Sequence, residues 1–152
     1  MLVRFALETD EDECVELARL QTAETLPHMP FDERRARQTF TKYLTTANPT
    51  VFVCEDDNRR LAGFLIATWS EYAFTTGICV NQEVIYVRSE NRGSRAAARL
   101  IRSFNEWADR LGAREVFTGI TNGFKAERTA RLFERFGYTP VGVYLRRIRY
   151  HG

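Results

Sequence analysis

The clearest pattern in the chain is a run of apolar residues between positions 95 and 111. Apolar side chains recur there at the i, i+3, i+4 and i+7 spacing of one helix face, and they are Ala97, Leu100, Ile101, Phe104, Ala108 and Leu111. This spacing predicts a long amphipathic helix. Gly112 follows the last apolar position and predicts the end of that helix.

Two more helices are predicted near the N-terminus. The first covers residues 15–20, and Thr9, Asp10 and Glu13 stand before it in the arrangement of an N-cap and capping box. The second begins after Asp32, a residue type that caps helices well, and its apolar face extends to position 44. Both helices therefore precede the main block of strands.

Short apolar runs between the helices predict strands. They occupy residues 3–7, 51–54, 61–69, 83–88 and 115–121. A polar turn at residues 56–60 separates the second run from the third, which is the pattern of an antiparallel hairpin.

The C-terminal part of the chain adds one helix and one extended segment. The helix is predicted over residues 126–136, and Gly137 is suited to its left-handed stop. Residues 138–150 are strand-like, with a bend or bulge at Pro140 and Gly142. The complete order is β-α-α-β-β-β-α-β-α-β, which predicts an α/β fold with a mixed sheet and helices in two layers.

Length and composition favour a single domain over residues 1–152. With 152 residues and 44% apolar content, the chain can form an ordinary core without disulfides or metals. The three cysteines are widely spaced and match no metal-binding pattern. We therefore expect reduced thiols in a cytoplasmic protein, with no signal peptide and no membrane span.

The charge composition is nearly balanced but unusual in kind. The formal net charge of +2 is too small to indicate binding to nucleic acid or to an anionic membrane. Only Lys42 and Lys125 are lysines, so almost all of the positive charge is arginine, which suits bidentate contacts with phosphate or carboxylate.

One turn has the features of an anion site. The strand at 83–87, the turn that follows and the helix from position 95 place consecutive backbone N–H groups at a helix N-terminus, where phosphate is favoured. Gly93 allows a ligand to approach the backbone, while Arg92, Ser94 and Arg95 add donors. The alternative interpretation is a polar turn that only caps a surface helix.

These segments resemble the GCN5-related N-acetyltransferase (GNAT) family over nearly the whole chain. The family signature Arg/Gln-x-x-Gly-x-Gly/Ala is matched by Arg92 and Ala97, while Arg95 stands where the middle glycine is usual. The fourth strand resembles residues 84–87, and the closing motif resembles residues 130–138. The sequence of residues 92–97 resembles that of bacteriophage-encoded members. The family resemblance implies an acyl-CoA N-acyltransferase fold with about six to seven strands in a mixed central sheet flanked by four helices.

The resemblance also implies a binding site for acetyl-CoA or another short acyl-CoA. The pyrophosphate would accept hydrogen bonds from the loop, and the pantetheine arm would pair with the fourth strand. Asn122, which sits in a turn sequence, would bond the pantetheine or the substrate, and Phe133 would pack against the pantetheine. The implied cofactor-binding residues are Tyr86, Val87, Arg88, Arg92, Gly93, Ser94, Arg95, Ala96, Ala97, Asn122 and Phe133.

Acyl transfer to an amine needs a base for the amine proton and benefits from an acid for the leaving thiolate. Glu83 is the candidate base, and the alternative is a strand-end glutamate that faces solvent. Phe133 occupies the position of the family's usual tyrosine acid and has no proton to donate. The possible substitutes are Tyr86, Tyr138 and Tyr144.

The sequence thus predicts an N-acetyltransferase that transfers acetyl from acetyl-CoA to a primary amine of a small molecule or protein by direct attack. No metal is expected. The alternative is a catalytically weak or inactive acyl-CoA-binding sensor of the same fold, and a basic nucleic-acid-binding domain is a distant third. The acceptor is not specified, and an exposed C-terminal strand suggests a homodimer.

Overall fold

The computed structural model describes residues 1–119 and 126–149. These residues form five strands and four helices, together with two short 3-10 turns. In chain order the elements are β1 Leu2–Phe5, α1 Glu11–Thr25, α2 Glu33–Thr46, β2 Thr50–Glu55, β3 Leu61–Glu71, β4 Ile78–Val87, α3 Ala96–Arg110, β5 Glu115–Thr118 and α4 Ala126–Glu134.

The strands form one mixed sheet in the order β1-β2-β3-β4-β5. Neighbours from β1 to β4 are antiparallel, whereas β4 and β5 are parallel. A parallel connection needs a long crossover, and α3 supplies it. The predicted mixed α/β fold with four helices is confirmed, and the predicted 61–69 hairpin strand is part of the longer β3.

Within residues 1–119 and 126–149 the sheet has five strands, fewer than the six to seven predicted. The alternating segment at 138–150 suggested a strand, but residues 139–149 form none. Among the residues that the structure describes, no backbone hydrogen bond involves residues 139–149. A strand is defined by its ladder with a neighbour, and alternation in the sequence does not provide that neighbour.

Helices cover both faces of the sheet, as the two-layer prediction required. On one face α3 packs against the sheet through Leu100, Phe104 and Ala108, all of which are completely buried. On the other face α1 and α2 pack through Leu17 and Phe40. Each large apolar side chain removed from water contributes roughly 1.5–3 kcal/mol, so burial in these two layers stabilises the fold.

Three helix ends agree with the sequence and one differs. After α4, Gly137 adopts the predicted left-handed conformation with φ of +92°. Asp32 caps α2, because its Oδ1 accepts from the Arg35 amide at 2.9 Å. Gly112 adopts φ of +72° just after α3. The predicted capping box of α1 is wrong: Asp10 precedes α1, but its carboxylate accepts instead from the Leu7 amide and from the Arg4 guanidinium.

Glu13, the other half of that predicted box, is used elsewhere. Its Oε2 accepts from the Leu61 amide at 2.8 Å and lies 3.9 Å from the Arg88 guanidinium. Arg88 is buried, and its Nε donates to the Leu61 carbonyl at 2.7 Å. The Glu13 carboxylate, which the sequence pattern assigned to a local helix cap, therefore makes a tertiary contact with the start of β3.

Across residues 1–119 and 126–149, the helices are all too short or too polar to cross a membrane.

Candidate cofactor-binding site

The central feature of the site is a strand that is paired along only part of its length. Residues Cys79 to Gln82 of β4 pair with β5, and the pairing stops at Gln82 and Thr118. β4 continues to Val87 and stays paired with β3 on its other side. The β5-facing edge of residues 83–87 therefore has no partner strand among the described residues, and a cleft opens there.

An extra residue in β4 lies where the two strands part. The register between β3 and β4 shifts so that Ile66 pairs with Val84 and Ala67 pairs with Gln82, which leaves Glu83 unpaired. Such a bulge bends a strand and redirects its side chains. The Glu83 side chain is exposed, and its Oε1 accepts from the Thr68 hydroxyl at 2.8 Å.

Beyond the bulge, the backbone polar groups of β4 point alternately towards β3 and towards the cleft. The Arg88 amide donates to the Ala62 carbonyl at 2.8 Å, and the Tyr86 carbonyl faces Gly63 so closely that a Cβ there would lie 2.4 Å from it. Because the polar groups of successive strand residues point to opposite sides, Ile85 and Val87 present theirs to the cleft. The Val87 carbonyl accepts from Arg92 Nε at 3.1 Å.

The loop from β4 to α3 supplies unpaired amides. Gly93 adopts φ of +86°, which favours glycine, and a Cβ built there would meet no atom within 4 Å. The Ser94 hydroxyl accepts from the Ala96 amide at 3.2 Å. In the described part of the chain, the amides of Gly93, Arg95 and Ala97 have no hydrogen-bond acceptor. These donors at a helix N-terminus suit an anion.

A cavity of about 650 Å³ joins the cleft to this loop. Its walls come from the end of α1, the unpaired part of β4, the loop, the start of α3 and one face of α4. The lining residues include Glu24, Tyr86, Val87, Arg92, Gly93, Ser94, Ala97, Arg128, Arg131 and Arg135.

Glu24 and Arg92 form an ion pair in this cavity. One terminal nitrogen of Arg92 lies 2.8 and 2.7 Å from the two carboxylate oxygens of Glu24, and both side chains are about three-quarters buried. The Arg92 guanidinium also lies 5.4 Å from the centre of the Tyr86 ring. Glu24 was not predicted, because a glutamate in the last turn of a helix carries no signal in a sequence.

The aromatic residues of the site have different surroundings. Tyr86 is buried, its hydroxyl lies 3.5 Å from Glu24, and burial is the main cause that raises its pKa. Phe133 is completely buried against the edge of Tyr138 and does not line the cavity. Tyr138 donates to Asn105 at 2.5 Å, and burial raises its pKa to about 12. Tyr144 is exposed and lies against Gly119, just after β5.

The structure brings most, but not all, of the predicted binding residues together. Tyr86, Val87, Arg92, Gly93, Ser94 and Ala97 line the cavity. Arg88 points into the protein, Ala96 is completely buried in the core, and Arg95 is exposed outside the lining. Asn122 lies outside the described residues. Glu83 stands at the bulge and not in the cavity wall.

A second cavity of about 410 Å³ lies between α1, α2 and the sheet. Its walls are mainly apolar and include Met29, Phe31 and Tyr43, with Ile66 from β3. His28, a neighbour of this cavity in the sequence, is exposed. Nowhere in the described ranges do three His, Cys, Asp or Glu side chains group as a metal site would require.

Comparison with known proteins identifies the family of this domain. Residues 47–140 match the model of the acetyltransferase (GNAT) domain. A search of curated protein sequences found no match. The matched residues include the bulge, the cleft strand, the loop and α4.

Solved structures agree on the fold. A crystal structure described as a probable acetyltransferase is 19% identical, with a TM-score of 0.80 over 99% of this chain and 100% of its own. The ribosomal-protein-alanine N-acetyltransferase from Brucella melitensis biovar Abortus 2308 is 18% identical, with a TM-score of 0.74 over 97% and 100%. The aminoglycoside 6'-N-acetyltransferase from Acinetobacter haemolyticus is 19% identical, with a TM-score of 0.75 over 100% of both chains.

Proposed function

Because the chain belongs to the GNAT acetyltransferase family, we propose that it transfers the acetyl group of acetyl-CoA to a primary amine of a small molecule or protein. The observation that carries this proposal is the half-paired strand β4, whose free edge opens into the cavity beside the loop of unpaired amides. An extended arm with amide groups and a pyrophosphate at one end fits these two features together.

The cofactor would be held mainly by backbone groups. The amides of Gly93, Arg95 and Ala97 would donate to the pyrophosphate, and the positive end of the α3 dipole would favour its charge. The pantetheine amides would pair with Ile85 and Val87 as an added strand. The Val87 carbonyl already accepts from Arg92 at 3.1 Å, so Arg92 would have to share or release it.

The reacting end of the thioester would lie near the bulge at Glu83. A general base there would take the proton of the attacking amine, directly or through one water molecule. The nitrogen then bonds to the thioester carbonyl carbon, the carbon–sulfur bond breaks, and CoA leaves as a thiolate that gains a proton. Among the predicted acids, Tyr86 is in the cavity and Tyr144 is beside the end of β5, while the Tyr138 hydroxyl is already donated to Asn105.

The acceptor would enter from the side of α1 and α2. The second cavity reaches the sheet at Phe64 and Ile66, and Thr68 follows on the same face of β3 and contacts Glu83. Its apolar walls would suit an amine that carries an aliphatic or aromatic group. This assignment would separate the two substrates on opposite sides of the bulge.

One observation favours a second candidate, an acyl-CoA-binding sensor with weak or no turnover. Phe133 is completely buried and offers no proton where the family's tyrosine acid is expected. A thiol is a fair leaving group, so this substitution alone would slow turnover without abolishing it. The two candidates share the cofactor site and differ only in turnover.

A thermal-shift titration with acetyl-CoA and CoA tests both candidates. A ligand that binds only the native state raises stability by RT ln(1 + [L]/Kd), or about 2.7 kcal/mol at a hundredfold excess over Kd. No shift at millimolar ligand would refute cofactor binding and both candidates. If the shift occurs, thiol release measured over a panel of aliphatic, aromatic and peptide amines separates an enzyme from a sensor.

A further inference from the structure

The cavity beside the loop is strongly cationic. Four arginines line it, and Glu24 is its only acidic residue among those the structure describes. Glu24 is already paired with Arg92 at 2.7 Å. The remaining three arginines therefore have no carboxylate in the cavity to balance their charge.

These three arginines come from one face of one helix. Arg128 and Arg131 are three residues apart on α4, and Arg135 follows one residue after the helix ends. Positions i, i+3 and i+7 lie on the same side of a helix, so the three side chains start from one side of α4 over a length of roughly 10 Å at 1.5 Å per residue. We call this the α4 arginine stripe.

The stripe is not explained by stability. Arg128 and Arg135 have no side-chain hydrogen bond or ion pair with any described residue. Arg131 lies 3.9 Å from Glu127, but both side chains are largely exposed, and such pairs contribute little. Three arginines on one wall of a cavity repel one another when only Arg131 has an ion pair, and that pair is solvent-exposed. An anion in the cavity would relieve that repulsion.

The stripe is also separate from the amides that suit the pyrophosphate. The loop and α3 form one wall of the cavity with Gly93 and Ala97, and α4 forms another with its arginines. An arginine fork matches a phosphate monoester, with its two negative charges, particularly well. CoA carries such a group at the 3' position of its ribose, and this group is absent from 3'-dephospho-CoA.

We infer that the α4 arginine stripe of Arg128, Arg131 and Arg135 recognises the 3'-phosphate of CoA and makes the site selective for CoA over 3'-dephospho-CoA. The inference rests on the proposed function, because it assumes that a CoA thioester occupies the cavity. It identifies the 3'-phosphate as the part of the cofactor on which selectivity for CoA depends. Nothing in the sequence pattern singles out these three arginines.

Isothermal titration of CoA and 3'-dephospho-CoA against the wild-type protein and a variant tests the inference. The variant carries Arg128→Gln, Arg131→Gln and Arg135→Gln. Wild type should bind CoA at least about tenfold more tightly than 3'-dephospho-CoA, as charge-assisted contacts to a phosphate require. In the variant, CoA affinity should fall to within about threefold of 3'-dephospho-CoA affinity, because the coupling between the deleted phosphate and the deleted arginines is lost.

A matched control removes the same charge from other surfaces. Arg34→Gln, Lys42→Gln and Arg110→Gln change three exposed cations that do not line the cavity. Because the net charge of the two variants is equal, a general electrostatic effect would appear in both. The control should keep the wild-type preference for CoA. Melting temperatures without ligand should match across all three proteins, and Arg128→Gln alone should lower the preference if the triple variant folds poorly.

Several results would overturn the inference. Equal wild-type affinity for the two ligands would do so, as would equal loss of both ligands in the α4 variant, which would mean that the stripe acts on the pyrophosphate or on the fold. Loss of preference in the control variant would show that overall charge and not the stripe selects the ligand. In each of these cases CoA still binds and the proposed function stands, whereas no binding of either ligand to wild type would refute both.

Discussion

Gly63 on β3 is the position where a single methyl group should disturb both the fold and the cleft. A Cβ at Gly63 would lie 2.4 Å from the Tyr86 carbonyl oxygen and 3.1 Å from the Val87 Cα. Real Cβ contacts essentially never fall below 3.0 Å, so the two backbones must separate by at least about 0.6 Å. The neighbour is backbone inside a paired ladder and has no rotamer that could relieve the clash.

The cost of Gly63→Ala is that of an overpacked interior, about 1–3 kcal/mol. For a chain of this length the melting temperature should fall by roughly 2–12 °C. The displaced residues are those that face the cleft, and binding sites need their groups held to within about half an ångström. We therefore expect acetyl-CoA affinity to fall by about tenfold as well.

Gly142→Ala is the matched control for this substitution. It adds the same methyl group where no atom lies within 4 Å, and it shares the entropy that any Gly→Ala change removes from the unfolded chain. Thermal unfolding of both variants, followed by titration with acetyl-CoA, measures the difference. If Gly63→Ala melts within a degree of Gly142→Ala, the β3–β4 contact is not as close as described and the reasoning fails.

Three other predictions concern the base, the core and the acid range. Glu83→Gln should lower kcat by about a hundredfold or more, as loss of a general base does, and leave the acetyl-CoA Kd nearly unchanged. If kcat and acetyl-CoA affinity fell by the same factor, Glu83 would instead have a structural role at the bulge. Phe104→Ala, at a completely buried position, should cost about 3–5 kcal/mol in urea unfolding, and a cost below 1 kcal/mol would contradict the packing of α3. The hydrogen bond from Arg4 holds the pKa of Asp10 below its usual value. The carboxylate therefore stabilises the fold fully at a pH above the ordinary aspartate pKa of about 3.9. This stabilisation is lost as the pH falls through the lowered pKa. Asp10→Asn should therefore be less stable than wild type at pH 7, with the difference shrinking below about pH 4, and a difference independent of pH would exclude this linkage.

The parts of the fold that sequence predicted well are those governed by local pattern. The spacing from Ala97 to Ala108 fixed α3 because a helix face repeats regardless of its neighbours, and Asp32 was recognised because a cap acts within one turn. The loop from Arg92 to Ala97 was found for the same reason: its amides are left free by the helix end itself. The family resemblance was confirmed, and the bacteriophage association stays a prediction.

What sequence missed depends on contacts between distant residues. The pairing of Glu24 with Arg92 joins positions 68 apart, and the capture of Glu13 by the Leu61 amide joins positions 48 apart. No periodicity encodes either contact. The C-terminal segment had the alternation of a strand, but whether a strand forms depends on a partner edge. The α4 arginines likewise indicated a phosphate site only after the structure placed them in the wall of a cavity.

Because β4 is only partly paired with β5, β5 is joined to the rest of the sheet less firmly than the antiparallel strands are joined to one another. Among the described residues, four residue pairs connect β5 to β4, whereas nine connect β4 to β3. Local opening of β5 and α4 should therefore require much less free energy than opening of the antiparallel strands, and amide hydrogen exchange would be correspondingly faster there. A molecule that bonds to the free edge of β4 and also contacts α4 would hold the β5–α4 unit against the antiparallel strands. Cofactor binding would then be measured as slowed amide exchange in β5 as well as in α4, because the ligand would bridge the free edge of β4 and α4.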